Sequence, residues 1–173
     1  KRNDFVNFAK ETFDINVKGT YNICNLARRI GAKIIYAGSS SFYAGPYLNP
    51  YAFTKWQGEE VCKMFSEIYG LSTANARFFN VFGPGQPSEG TYATIVGIFE
   101  NQYKAGETLT ITGDGEQRRD FTYVGDVVDA NIKASQSKNV GNGEVINIGN
   151  GDNRSVNQIA DMIGGNTINV EPV

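Results

Sequence analysis

Apolar residues recur at three- and four-residue intervals in two stretches of the chain, and short apolar runs follow each of them. The helical spacing predicts helices over residues 5–30 and 51–69, each of which is followed by a glycine. The apolar runs predict strands over 33–37 and 72–79. This helix–strand–helix–strand order is typical of a parallel sheet with crossover helices.

The second half of the chain is less regular. Small and polar residues predict loops over 38–46 and 86–92 and a turn-rich segment over 80–85. The other predicted elements are a helix over 93–104, a strand over 108–112, an extended segment over 118–124, a helix over 127–135 capped by Asp126, a strand over 144–148, a helix over 156–163 with Ser155 and Gln158 as its capping box, and a strand over 168–170.

The amino-acid composition argues against several classes of protein. The chain has 173 residues, of which 40% are hydrophobic and 20% charged, with a net charge of -2, so we expect a folded protein without a broad basic surface for nucleic acid. No apolar run approaches the ~20 residues of a membrane helix, which argues against a membrane protein. Cys24 and Cys62 are isolated, so neither a disulfide framework nor a cysteine-built metal site is expected. A reducing cytoplasm is the compartment that this predicts.

Histidine is absent from the sequence. Its absence excludes Ser-His-Asp and Cys-His catalysis and histidine-ligated metals together, and we predict no metal site. Acid–base chemistry near neutral pH must therefore depend on Tyr, Lys, Asp, Glu or a cofactor.

One pair of residues suits that chemistry. Asn49 can cap a helix and Pro50 fits its first turn, which places Tyr51 and Lys55 four residues apart on one helix face. A nearby ammonium favours the phenolate and so makes tyrosine a proton-transfer group. Ser39, at the end of an apolar run, could reach the same substrate oxygen from a neighbouring strand. The alternative is that Tyr51 and Lys55 are an ordinary amphipathic pair.

Six short segments together resemble the extended short-chain dehydrogenase/reductases that act on nucleotide sugars, the NAD-dependent epimerase/dehydratase family. They are NVKGT at 16–20, SSSFY at 39–43, PYAFTK at 50–55, RFFNVFGP at 77–84, RDFTYVGD at 119–126 and NIG at 147–149. The resemblance is nearest to the UDP-glucose 4-epimerase group. It implies an α/β fold with a partial Rossmann-type parallel sheet, crossover helices and a small α/β substrate-binding part.

The resemblance implies a role for each matching residue. Tyr51 would transfer the proton, and Lys55 would hold the nicotinamide ribose of the cofactor. Ser39 would bond to the sugar hydroxyl or ketone and contact the cofactor, as Tyr51 and Lys55 would. Asn16 would touch the cofactor and Phe79 would lie by its nicotinamide, although Asn16 could instead serve in helix packing and Phe79 in the core.

On the substrate side, Asn80 and Arg119 would hold the nucleotide diphosphate, since a guanidinium suits paired phosphate oxygens. Thr110, Ile111 and Thr112 would line the nucleotide base.

Ser40 and Ser41 stand at the positions where the resemblance to sugar dehydratases of this family would place Asp and Glu. Serines there argue against dehydration, because elimination of water needs an acid and a base, and a structural role is expected for both. The loop from Ser39 to Tyr51 is also shorter than in the epimerases, which could alter specificity or spoil the site.

The resemblance predicts a nucleotide-sugar epimerase that uses NAD and acts on a UDP-hexose. Because no glycine-rich βαβ segment is found, the chain is expected to be a fragment, inactive on its own. Two alternatives stay open: a non-catalytic nucleotide-sugar-binding module, and an NADP-dependent heptose-type epimerase or sugar-nucleotide reductase.

The implied domain organisation has two parts. Residues 1–82 would form the C-terminal portion of the NAD-binding Rossmann domain. Residues 83–173 would be mostly substrate-binding, with 120–150 returning to the Rossmann sheet. Family members dimerise through two helices, equivalent here to 4–30 and 51–69, so a homodimer is expected.

Overall fold

The computed structural model describes residues 9–90 and 93–171. Its helices, in chain order, are α1 (Ala9–Phe13), α2 (Thr20–Ile30), α3 (Ser41–Ala44), α4 (Pro50–Tyr69), α5 (Ile95–Lys104), α6 (Val124–Gln136) and α7 (Val156–Ile163), with a π-helical segment, Asp14–Gly19, between α1 and α2. Its strands are β1 (Ile34–Ser39), β2 (Thr73–Phe78), β3 (Val81–Phe82), β4 (Leu109–Thr112), β5 (Arg118–Asp120), β6 (Thr122–Tyr123), β7 (Asn142–Ile148), β8 (Asn153–Ser155) and β9 (Thr167–Val170).

These elements form two units. The first contains the described residues up to Phe78 together with Asp126–Ile148, and the second contains Phe79–Gly125 and the described residues from Gly149 onward. The chain therefore passes from one unit to the other after Phe78, after Gly125 and after Ile148.

The first unit is built on a parallel three-stranded sheet in the order β1-β2-β7. Helix α4 connects β1 to β2, as a parallel pair requires. Helices α2 and α4 pack around a buried core that includes Leu71, just after α4; its members are Cys24, Ala27, Cys62, Phe65 and Leu71. The predicted α/β fold with a partial Rossmann-type sheet and crossover helices is confirmed.

In the second unit, the described residues form three two-stranded pairings, β3-β6, β4-β9 and β5-β8. The first two are parallel and the third is antiparallel. Helices α5 and α7 cover a separate apolar core: Val96, Phe99, Leu109, Ile111, Val156, Ile159 and Ala160. Helix α7 begins with the predicted capping box. The Ser155 hydroxyl oxygen accepts a hydrogen bond from Gln158 N, and the Gln158 side-chain oxygen accepts one from Ser155 N.

Four local predictions were wrong or incomplete. The helix predicted over 5–30 is interrupted by the π-helical segment, and its residues 5–8 lie outside the described residues. The predicted loop 38–46 contains α3, and the predicted turn 80–85 contains β3. Helix α6 begins at Val124, before the expected cap Asp126. Asp126 therefore lies in the first turn of α6, where its carboxylate interacts favourably with the helix dipole.

Over 9–90 and 93–171, no helix combines the length and apolar character needed to cross a membrane.

Candidate functional site

The first turn of α4 carries the proposed proton-transfer residue. The side chain of Asn49 accepts a hydrogen bond from Ala52 N at 2.8 Å, and Pro50 occupies the first helical position. This local arrangement is the one the sequence predicted. It leaves Tyr51 at the helix start with 41% of its surface exposed, so the phenol is accessible to a ligand.

Lys55 lies one turn farther along α4 and is half-buried. Its Nζ stands 4.5 Å from the ring centroid of Tyr36 on β1, and the Tyr36 hydroxyl donates to the backbone oxygen of Lys55 at 3.4 Å. Burial lowers the pKa of the Lys55 ammonium, while the Glu59 carboxylate opposes that shift. Among the described residues no carboxylate forms an ion pair with Lys55. The cation is thus held by an aromatic face and keeps its hydrogen-bond donors for a ligand.

Ser39 ends β1 at the carboxyl edge of the sheet. Its Oγ accepts hydrogen bonds from the backbone N of Ser41 at 3.2 Å and from the Ser41 hydroxyl at 2.9 Å. The backbone N of Ser40 donates to Phe78 O at 3.1 Å. Ser40 and Ser41 therefore hold the turn after β1, and ligands in parallel sheets gather at this edge.

Asn16 lies in the π-helical segment, a kind of segment that is frequent at functional sites. Its Nδ2 donates to Thr54 Oγ1 at 3.1 Å, and the Thr54 hydroxyl bonds to Pro50 O at 2.8 Å. Asn16 is thereby tied to the residue before Lys55. The first unit carries Asn16, Ser39, Tyr51 and Lys55 on neighbouring elements.

A cavity of about 420 Å³ lies in the second unit. Asn80, Thr112 and Arg119, all predicted from sequence, line it. The Asn80 Nδ2 donates to the backbone oxygen of Asp120 at 2.8 Å, which ties the cavity wall to the strand of Arg119. Arg119 supplies a cation, and no described carboxylate forms an ion pair with it. This donor set suits an anionic ligand.

Thr110 and Ile111 do not reach the cavity. Ile111 is only 2% exposed and belongs to the core of the second unit. The Thr110 hydroxyl accepts a hydrogen bond from Gln102 Nε2 at 2.9 Å. Of this predicted segment, the structure brings only Thr112 to the cavity.

Phe79 belongs to the second unit and follows β2 directly. Its ring packs so near Gly149 that a Cβ added to that glycine would lie 3.4 Å from Phe79 Cδ2. The expected role of Phe79 beside a nicotinamide stays a prediction.

Sequence reasoning missed most of the cavity lining. Helix α5 presents its N-terminal residues there, including the Thr94 cap, and aromatic rings come from β3 and from the residue after β5. The missed residues are Val81, Phe82, Ala93, Thr94, Ile95, Val96, Gln117, Phe121 and Val156. Thr94 carries the local signal of a helix cap, and Val81, Phe82 and Phe121 lie within two of the family segments; the others reach the cavity through tertiary packing.

Comparison with known proteins gives the family of these motifs. The model of the NAD dependent epimerase/dehydratase family matches residues 3–149. A UDP-glucuronate 4-epimerase of Thermodesulfobacterium geofontis is 36% identical over 87% of this chain and 49% of its own length. A UDP-N-acetyl-alpha-D-glucosaminuronate decarboxylase of Bacillus cytotoxicus is 34% identical over 88% of this chain and 52% of its own.

Solved structures agree with that match. The crystal structure of a UDP-glucose 4-epimerase from Thermotoga maritima with UDP-glucose superposes with a TM-score of 0.85 at 28% identity, covering 98% of this chain and 61% of that one. The chain spans about half the length of the curated relatives it matches.

Proposed function

The chain belongs to the NAD dependent epimerase/dehydratase family, and we propose that it forms the catalytic portion of a UDP-hexose 4-epimerase of the UDP-glucose 4-epimerase type. The observation that carries this proposal is the pairing of an accessible Tyr51 with a half-buried Lys55 on one face of α4, in a chain without histidine. The 4-epimerase activities of the relatives support the same reaction class.

The residues of the first unit fit the nicotinamide ribose of NAD. The Lys55 ammonium rests on the Tyr36 ring without a carboxylate partner among the residues described, so its donors suit ribose hydroxyls. Asn16, bonded to Thr54, the residue before Lys55, adds an amide to this group of residues. Bound NAD would supply the reversible hydride acceptor that this chemistry needs.

Each catalytic side chain then has a distinct task. Tyr51 takes the proton from the sugar 4-hydroxyl and later returns it, while Ser39 bonds to the same oxygen. Lys55 favours the phenolate form of Tyr51 by its charge. The keto sugar must turn between the two steps so that hydride returns to its other face.

The cavity of the second unit is proposed to hold the nucleotide diphosphate. Arg119 would bind phosphate oxygens through its planar guanidinium, with Asn80 beside it and Thr112 toward the base. Thr110 and Ile111 would contribute by positioning the strand of Thr112, not by direct side-chain contact.

Binding to UDP-glucose tests this part by calorimetry. Arg119→Lys should weaken binding by about tenfold or more, because a lysine cannot make the bidentate contact. Arg118→Lys is the matched control, since Arg118 bonds to Asn153 and Gln158 and does not line the cavity. Equal losses in both variants would contradict the assignment of Arg119.

Turnover tests the catalytic part, with NAD supplied and UDP-glucose to UDP-galactose conversion followed. Tyr51→Phe should reduce kcat by a factor of about 10² to 10⁴, the usual contribution of a general acid–base. Tyr47→Phe is the control, because Tyr47 is an exposed aromatic residue of the preceding loop. Unchanged turnover in Tyr51→Phe would refute the role of Tyr51. UDP-glucose binding without any turnover would fit both the non-catalytic module and a fragment that is inactive on its own. Preference for NADP would favour the heptose-type alternative.

A homodimer through α2 and α4 is part of the proposal. Large apolar side chains on these helices stay exposed in the single chain, such as Ile23 at 56%, Ile30 at 67% and Ile68 at 66%. Ile23 and Ile30 are seven residues apart and so share one face of α2, and exposed apolar side chains on one face are typical of an interface. Light scattering after size-exclusion chromatography should give the mass of a dimer, which Ile23→Glu should disrupt. A monodisperse monomer of the unaltered chain would contradict the proposed assembly.

A further inference from the structure

A buried ion pair connects α4 to the central strand of the first unit. The Arg77 Nε lies 3.1 and 3.0 Å from the two carboxylate oxygens of Glu59, and Nη2 lies 2.6 Å from Oε2. The two side chains are 8% and 3% exposed, whereas the other ion pairs among the described residues are on the surface. Burying two charges brings little net stability, because desolvation offsets their attraction, so another role is expected for the pair.

The Arg77 guanidinium also holds the short helix α3. Its central carbon stands 3.7 Å from the ring centroid of Phe42 and 5.2 Å from that of Tyr43. The Tyr43 hydroxyl donates to Asn147 Oδ1 at 2.8 Å, and Asn147 pairs with Arg77 in the sheet register. A helix of four residues has no stability of its own, so these contacts place it.

The residue before Ser39 makes room for the ion pair. A Cβ added at Gly38 would lie 2.6 Å from Glu59 Oε1 and 3.1 Å from Arg77 Cγ. Gly38 also pairs with Arg77 across the sheet. The carboxylate therefore reaches Arg77 directly over the backbone of Gly38, and only glycine leaves it that space.

Both ends of this arrangement lead to proposed catalytic residues. On one side, the Ser39 Oγ accepts its two hydrogen bonds from Ser41, the first residue of α3. On the other, Glu59 lies one helical turn after Lys55 on α4. The ion pair thus fixes the turn that orients Ser39 relative to the helix that carries Lys55.

We propose that Glu59 and Arg77 are positioning residues for the epimerase reaction, in that their buried ion pair holds α3 and thereby the hydroxyl of Ser39. The inference rests on the proposed function for its effect on turnover, while the structural part can be measured without turnover.

Arg77→Lys is the variant that tests it. Lysine keeps the positive charge toward Glu59 but loses the planar fork and its stacking on Phe42. Lys33→Met is the matched control: Lys33, just before β1, donates to Ala134 O and Ser137 O at 2.8 and 2.7 Å, so its loss should loosen the same sheet away from α3. If Arg77→Lys does not fold, Glu59→Gln replaces it, because it keeps the shape of Glu59 and removes its charge.

Two measurements are made on the full chain. Amide hydrogen exchange over residues 40–45 should accelerate by about tenfold in Arg77→Lys and stay unchanged in Lys33→Met, with comparable losses of Tm in both. In the turnover assay kcat should fall by about a hundredfold with KM nearly constant, as expected when a catalytic group is misplaced by about 1 Å. Lys33→Met should keep its kcat.

The inference is overturned if Arg77→Lys keeps the exchange rates over residues 40–45 and the kcat of the unaltered chain. It is also overturned if Lys33→Met changes the exchange rates and kcat as much as Arg77→Lys does. Absence of turnover in the unaltered chain would agree with a fragment that is inactive on its own, and the proposed function would then be judged by UDP-glucose binding. The exchange data then still decide whether the ion pair holds the turn after Ser39.

Discussion

A methyl group added at Gly58 sets two opposing effects against each other, the higher helix propensity of alanine and steric overlap with neighbouring atoms. Gly58 lies within α4, where alanine is favoured over glycine by about 1 kcal/mol. A Cβ at Gly58 would, however, collide with the Tyr36 hydroxyl, lie 2.5 Å from Tyr36 Cζ and lie 2.9 Å from the backbone oxygen of Asn16. The ring beneath Lys55 and the backbone of the π-helical segment would both have to move.

The steric effect should exceed the helix propensity. Overpacking of a core costs about 1–3 kcal/mol, and the upper part of this range applies because one of the contacts is a backbone atom. Subtracting about 1 kcal/mol of propensity leaves Gly58→Ala destabilised by about 2 kcal/mol. Gly19→Ala is the control, because its added Cβ would lie 3.5 Å from Asp14 O, an ordinary van der Waals distance and the nearest contact among the described residues. It should stabilise the chain by about 0.5–1 kcal/mol.

Urea unfolding followed by tryptophan fluorescence measures both variants. The chain contains one tryptophan, Trp56, two residues before Gly58 on the same helix, so the signal reports the first unit. With an m-value of about 2 kcal/mol/M, the unfolding midpoint of Gly58→Ala should fall by about 1 M. A midpoint at or above that of the unaltered chain, with Gly19→Ala stabilised as expected, would refute the packing argument.

Two further predictions concern single contacts of the first unit. Asn49→Ala should lower the free energy of unfolding by about 1 kcal/mol in the same urea assay, because it removes the cap of α4; no change would show that the cap is dispensable. Glu144→Gln tests a pH dependence. Burial would raise the pKa of Glu144, but hydrogen bonds from the N–H groups of Gly141 and Asn142 outweigh it and lower that pKa. The carboxylate therefore stabilises the fold above its unfolded-state pKa of about 4.3, and this contribution is lost as the pH falls through the lower folded-state pKa. The stability difference between Glu144→Gln and the unaltered chain, measured by urea unfolding, should disappear over that acidic range; a difference that persists in acid would contradict the assignment.

The parts of the site that depend on local geometry could be predicted from the sequence. The positions of Tyr51 and Lys55 follow from Asn49, Pro50 and the helical period, and the structure shows that cap and that face. The parallel sheet also followed from the order of the elements, because connections through a helix leave little choice.

The parts that depend on distant contacts could not be predicted. Helix α3 exists because Arg77 packs on Phe42, and β3 exists because Val81 pairs with Thr122, which is far away in sequence. The two-residue period of a strand could have excluded Ile111 from the cavity, since it alternates with Thr110 and Thr112. No local pattern could have separated Thr110 from Thr112, because the hydrogen bond to Gln102 is a tertiary contact.

The buried ion pair of Glu59 and Arg77 also affects Lys55, the cation beside the proposed proton-transfer tyrosine. Lys55 and Glu59 are four residues apart on α4, a spacing at which lysine and glutamate commonly pair. In the structure the Glu59 carboxylate is instead bonded at both oxygens by Arg77. Since Arg77 binds this carboxylate, the hydrogen-bond donors of the Lys55 ammonium stay available for the proposed ribose, while the charge of Glu59 still favours the protonated form of Lys55 against its burial. A tyrosine that must replace histidine in proton transfer needs an adjacent cation that is not already neutralised, and Arg77 preserves that condition.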